Sequence, residues 1–274
     1  MAAEIAAAPR RPIALPWARL GAGLGPGASL LYLCLLVGLP VAALADRAAT
    51  ARFWPAITSP PARSALLLTL VMAAVTSVVD VAAGVLIAWV LVRDSFRGRG
   101  IVNALIDLPF ALPTIVAGLV LLSLYGPSSP VGVDVAQTRA AVLLALLFVT
   151  LPFVVRAVQP VLIGLDRDVE QAAECLGASG WQTFRMLIWP ALRPAATVGA
   201  GLAFARSLGE FGSIVLISGN IPFETQVASM FIFKQIESDN PIGAAALSVV
   251  LLVLSLGVLI GIRALGHWGA RHDR

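Results

Sequence analysis

Residues Glu170-Gln171-Ala172-Ala173-Glu174-Cys175-Leu176-Gly177, followed thirteen residues later by Pro190, form a polar, helix-forming island between two apolar stretches, Ala140 to Leu162 and Ala195 to Gly219. Asp166 and Asp168 precede it, where a short acidic side chain caps the first turn and meets the positive end of the helix dipole. Val169, Ala172, Ala173 and Leu176 recur at helical spacing and make one apolar stripe, with Glu170, Gln171 and Glu174 on the other faces. Gly177 supplies the left-handed residue that commonly ends a helix. Ser179 and Gln182 then fit a capping box. Trp181, Phe184 and Leu187 or Ile188 continue an apolar face until Pro190 and Pro194, which are expected to redirect the chain into the next stretch. The spacing predicts two short helices at an angle.

Outward from the island the chain is dominated by apolar runs. Hydrophobic residues make up 59% of it and charged ones 12%, far from the balance of a soluble domain. Crossing a hydrocarbon core of roughly 30 Å takes about 20 helical residues. Runs of that order lie at Ala28 to Ala45, Ala65 to Val92, Ile101 to Tyr125, Ala140 to Leu162, Ala195 to Gly219 and Ile242 to Ile262. They are continuous rather than alternating, so the backbone must be satisfied inside α-helices and not in a barrel. The fold class is an all-α integral membrane protein with six transmembrane helices. Its segments are a tail at 1–27, a first span at 28–45, a transmembrane domain at 64–265 that contains the loop 164–193, and a tail at 266–274.

Basic residues set the orientation. Arg10, Arg11, Arg19, Arg93, Arg97, Arg99, Arg156, Arg167, Arg185, Arg193, Arg263, Arg271 and Arg274 fall on one side, thirteen of nineteen, against Arg47, Arg52, Arg63, Arg139 and Lys234 on the other. Both termini and the island are therefore expected in the cytoplasm. Ala43-Leu44-Ala45 resembles a signal-peptidase site, but the roughly 27 residues ahead of the run suit an uncleaved span better than a leader. Cys34 falls in a span and Cys175 in the loop, so neither a bridge nor a metal-ligand spacing is expected.

Several chemistries lack their residues. The one lysine, Lys234, follows Phe233, so no phosphate-binding loop ending in Gly-Lys-Ser/Thr exists. His267 and His272 are the only histidines and lie in the C-terminal tail, which leaves none for a relay or metal site in the membrane. No catalytic residues are expected, and the net charge of +4 reflects the arginines of one face rather than a nucleic-acid surface.

Charge inside the spans is costly, roughly 2.5 to 3.5 kcal/mol for a central position on insertion scales, and so points to function or pairing. Arg206 and Glu210 are four apart and are expected to pair on one helix face near the bilayer midplane. An arginine fork matches the oxygens of a tetrahedral anion. With Ser207 and Ser213 beside them, these residues are candidates for a weak anion site; a latch between helices is the alternative. Asp80 lies deep in its span. Asp107, near the end of its span, is expected to reach the interface or to pair with Arg93, Arg97 or Arg99. Pro109 and Pro113 predict a kink in the third span. The outer loops Gly126 to Arg139 and Asn220 to Pro241 would meet an external partner, and Met230 to Ile236 reads as an amphipathic stretch.

The island resembles the cytoplasmic loop of bacterial ATP-binding-cassette importer permeases, whose pattern is Glu-Ala-Ala, three residues, Gly, nine residues, Ile-x-Leu-Pro. Ala172, Ala173, Gly177 and Pro190 match in register; Gln171 stands at the Glu position with Glu170 before it, Leu187 replaces Ile, and Trp189 replaces Leu. Across Ser64 to Arg263 the resemblance narrows to the T-type subunits of sulfate and thiosulfate importers. It rests on Leu86 to Arg93, Ile106 to Thr114, Thr150 to Arg156 and Ser207 to Ser213. The resemblance implies a type I importer permease fold in the bacterial inner membrane, with the island as the loop that couples to the ATPases. It also implies a W-type permease partner, two ATP-binding subunits that hold ATP and Mg, and an extracytoplasmic sulfate-binding protein. Molybdate or tungstate permeases are the near alternative, and an ion-coupled secondary transporter working through Asp80, Arg206 and Glu210 is the more distant one.

Overall fold

The computed structural model describes residues 26–272. The predicted tail 1–27, except its last two residues, and the end of the tail 266–274 lie outside them, with Arg10, Arg11, Arg19 and Arg274. Among the described residues the elements are all helical. Five helices among the described residues are long and apolar enough to cross a membrane, or six if one bent pair is counted as a span.

Contacts divide the chain after Arg47. The first unit is built on helix α1, Pro26–Ala48, with a π-helical turn at Cys34–Gly38. The second begins with the short α2, Phe53–Thr58, and the long α3, Pro60–Arg93, which starts on two prolines whose missing N–H groups cost nothing in a first turn. At roughly 1.5 Å per residue its 34 residues exceed the thickness of a bilayer core. The third expected span is not one helix. It is α4, Arg99–Ala111, and α5, Thr114–Tyr125, meeting at 117°. The break falls at Leu112 and Pro113 because the ring of Pro113 excludes the helical region for the residue before it, and Leu112 is extended at ψ 136°. Pro109 stays inside α4.

Helix α6, Arg139–Gly164, matches the fourth expected span. After α7, Arg167–Cys175, comes α8, Gly180–Leu208, which joins the second loop helix to the fifth span without a break. Pro190 and Pro194 do not redirect the chain as expected. A π-helical turn at Phe184–Ile188 precedes Pro190, which takes a first-turn position in the segment that follows. The fifth span is instead broken further on, at Gly209 to Phe211, before the short α9, Gly212–Ile217. Helix α10, Ala228–Glu237, covers the amphipathic stretch, and α11, Pro241–His272, continues past the expected end of the sixth span.

The centre is the packing of α3, α6 and α8. Val85, Ala88, Leu91, Val154, Val158 and Leu192 are buried in one cluster. Glycine allows the approach: a Cβ on Gly84 would stand 2.9 Å from the Val154 Cβ, and one on Gly199 would stand 2.8 Å from the Val154 Cα. Small residues facing one bulky residue from both sides are how helices close in lipid, where no hydrophobic force drives them together. A second cluster joins α5, α6 and α9 through Leu121, Val142, Leu146, Ile214 and Ile217. A third, with Ala65, Phe231 and Leu247, fixes α10 between α3 and α11.

Candidate functional site

The loop is held together by local caps and by two arginines that the sequence reading did not assign to it. Asp166 accepts a hydrogen bond from the Asp168 N–H at 3.0 Å and starts α7. Its C-terminus closes with Gly177 at φ +86°, where Ala178 N–H donates to the Ala173 carbonyl and Gly177 N–H to that of Glu174. This is the paired Schellman bonding that a left-handed residue permits. The Ser179 and Gln182 capping box is present in full. Arg93, from the end of α3, pairs with Glu170 and reaches the Leu165 carbonyl, while Arg167 donates to the carbonyls of Val92 and Arg93 at 3.4 and 3.2 Å. Each arginine thus satisfies carbonyls at the other segment's helix end, which the regular helix leaves open.

Aromatic rings complete the attachment. Phe184 sits against Trp89 of α3 edge-on at 6.0 Å, stacks with Trp181 at 5.7 Å and with Trp189 at 6.3 Å. The loop is therefore keyed to α3 as well as to α8. Glu170 is spent on Arg93, so the acidic groups left outward on α7 are Asp168 in its first turn and Glu174, the latter beside exposed Gln171 and Ala172; Ala173 is half-buried. Val169, Leu176 and Trp181 stand in the open, with Leu176 89% exposed. Pro190 is also exposed. An apolar ridge this bare, on a base fixed by an ion pair and a ring stack, is a surface built to be covered.

The buried charges sit elsewhere. Glu210 is not on the helix of Arg206, as expected, but in the break after Leu208; it still pairs, with Nη1 at 2.7 Å from Oε2. The N–H does not point along that line, so the contact is ionic rather than a formed hydrogen bond. Glu210 Oε1 accepts from Ser213 N–H at 2.9 Å and from its Oγ at 3.0 Å, which caps α9, and Ser229 Oγ donates to the Glu210 carbonyl at 2.6 Å. Glu210, Ser207 and Ser213 are buried, whereas the Arg206 side chain is 35% exposed. Of the four candidates for an anion site, only Arg206 presents donors to an open face.

The two helix breaks meet. A Cβ on Gly118 of α5 would stand 2.6 Å from the Ser213 carbonyl, and one on Gly212 would stand 2.1 Å from Thr114 Oγ1. Interrupted backbone within a membrane is tolerated where protein buries it, and here each break is packed against the other's helix.

Asp107 does not pair with Arg93, Arg97 or Arg99. Its partner is Arg156 of α6, with Nε at 2.7 Å from Oδ1 and a second contact from Nη2, and Arg156 also holds Asn103 and Gln159. Arg156 was counted in the sequence as an orienting charge; the direction of its side chain, which depends on how α4 crosses α6, was not legible there. Asp80 is fully buried and bonded to Thr150 Oγ1 at 2.5 Å, with its Oδ1 and the nearby Thr76 Oγ1 left without partners.

Residues 80–267 match the family model of the binding-protein-dependent transport system inner membrane component. The chain belongs to that family. As a member of it, the protein is a multi-pass membrane component of such a transport system. It is 42% identical over 255 residues to the sulfate transport system permease protein CysT of Escherichia coli (strain K12), covering 89% of this chain and 92% of that one. To the CysT of Synechocystis sp. it is 41% identical over 270 residues, 95% of this chain and 91% of the relative. Solved structures confirm the fold at low identity. A bacterial alginate ABC transporter in complex with a pentasaccharide-bound periplasmic protein superimposes with a TM-score of 0.73 at 17% identity, over 89% of this chain and 92% of that one. The MetNI methionine ABC transporter gives 0.55 at 17% identity over 79% and 100%. The ABC importer permease fold expected from the resemblance is the fold found.

Proposed function

We propose that this chain is the permease subunit of an ATP-driven sulfate or thiosulfate importer, and that α7 with the start of α8 is the foot onto which a separate ATPase docks. The observation that carries the reading is the bare apolar ridge of Val169, Leu176 and Trp181 on a loop clamped to α3 through Arg93 and Glu170. A partner that grips the ridge moves α3 and α8 together, and these two helices form the packed centre with α6. The choice of anion rests on the names of relatives above 40% identical over most of the chain. The arginine excess supports a cytoplasmic position for both termini and the loop. ATP and Mg belong to two partner subunits; a W-type permease completes the pathway and an extracytoplasmic binding protein delivers the anion. Arg206 is the group that touches the passing anion, and Glu210 holds it half-neutralised so that binding stays weak.

The test is reconstitution in lipid with the copurifying subunits. Sulfate-loaded binding protein is expected to stimulate ATP hydrolysis, and cysteine at Leu176 to cross-link to the ATPase. Stimulation by molybdate and not sulfate would overturn the substrate, and sulfate uptake undiminished without the ATPase would overturn the coupling.

A further inference from the structure

A groove of about 560 Å³ opens between α3 and α8. One wall is the apolar row Val78, Val81, Ala82 and Val85 of α3. These residues follow helical spacing and cover roughly 10 Å of the helix. The other wall alternates rings and cations along α8: Trp181, Arg185, Trp189 and Arg193, with Phe184 at the base. Neither guanidinium has a hydrogen-bonding or ionic partner among the described residues, no acidic residue lines the groove, and both arginines are exposed. Both walls belong to helices that are long and apolar enough to span the bilayer.

An apolar floor beneath two unpaired cations and two tryptophans asks for an amphiphile with an anionic head. Free anions would leave the valine wall uncovered, and a purely apolar partner would leave two arginines facing hydrocarbon, a costly arrangement. Tryptophan favours the interface between acyl chain and head group, and basic pockets between spans are recognised binding places for anionic head groups. The volume lies within the roughly 300 to 1,000 Å³ range of sites that enclose a drug-sized ligand, enough for a head group and part of one chain. We propose that this groove binds one anionic phospholipid, its phosphate on Arg185 and Arg193 and an acyl chain along Val78, Val81, Ala82 and Val85. Because Phe184, stacked on Trp181, also packs against Trp89 of α3, the lipid braces the loop and stabilises the subunit.

The experiment uses the full-length chain with its copurifying subunits, in mild detergent with defined lipid added and read by native mass spectrometry. Phosphatidylglycerol is expected to be retained at one molecule per copy and phosphatidylcholine at least tenfold less. Arg185→Gln with Arg193→Gln is expected to abolish the difference, while millimolar inorganic phosphate leaves it unchanged. Ala82→Trp fills the apolar wall without touching the arginines and is expected to reduce retention as well, which covers the case in which the double variant does not fold. Equal retention of both lipids, or full retention in Ala82→Trp, overturns the proposal. So does cross-linking of cysteine at Val81 to a partner subunit in place of a photoreactive lipid. Displacement by inorganic phosphate overturns it too, by identifying a simple anion site.

Discussion

Replacing Arg206 by Gln separates a structural latch from a pathway residue. Glu210 is 1% exposed and keeps two donors from Ser213 when its cation is removed. Breaking a buried pair typically costs about 3 to 5 kcal/mol, because the surviving charge stays out of water. Two features lower the figure here. The arginine is about a third exposed, which screens the pair, and each charged bond from Ser213 retains roughly 1.5 to 3 kcal/mol. A loss of about 2 kcal/mol is expected for Arg206→Gln in unfolding from lipid–detergent micelles. Glu210→Gln keeps an oxygen for Ser213 and strands only a partly wet arginine, so about 1 kcal/mol or less is expected. The double variant should then resemble Glu210→Gln alone, a coupling of about 2 kcal/mol in a double-mutant cycle. Sulfate uptake is measured in the same variants. In the Glu210→Gln background, where folding no longer needs the cation, Arg206→Gln is expected still to reduce uptake severalfold. Additive stabilities would refute the energetic argument, and uptake equal in the single and double variants would remove Arg206 from the pathway.

Gly177→Ala meets no atom within 4 Å but must hold φ +86°, so a loss of about 1 to 2 kcal/mol confined to the loop is expected. Local hydrogen exchange in α7 should rise while unfolding of the core is unchanged. Gly118→Ala drives a Cβ to 2.6 Å from the Ser213 carbonyl, a backbone atom that cannot swing aside. Overpacking of roughly 1 to 3 kcal/mol is expected, visible as a lower melting temperature of the purified chain. Asp80→Asn offers an amide that can bond Thr150 while Thr150 donates to the Leu146 carbonyl at 2.8 Å, so near-normal stability is expected; Asp80→Ala is expected to be less stable in the same melting assay because it leaves a cavity, although the Thr150 hydroxyl keeps the Leu146 carbonyl.

What the sequence determined by itself was everything governed by near neighbours and by the solvent. Apolar runs of membrane length, the Asp166 cap, the Ser179 and Gln182 box and the left-handed Gly177 are set by residues within a few positions of one another, and each recurs in the structure. The kink at Pro113 belongs with them, since a proline restricts its predecessor whatever surrounds it. The tertiary structure decided which charge meets which. Arg156 rather than Arg93 holds Asp107, and Arg93 is turned to Glu170, because ion pairs follow the crossing of α4 over α6 and the docking of the loop on α3. It also decided that the fifth span breaks at Gly209 and not at Pro190. A π-turn absorbs the proline locally, while the break at Gly209 to Phe211 is stabilised by Arg206 and Ser213 from nearby in the chain and by the Ser229 bond and the close approach of Thr114 and Gly118 from elsewhere. Ser229, Thr114 and Gly118 lie far away in sequence, and no periodicity along one helix encodes them.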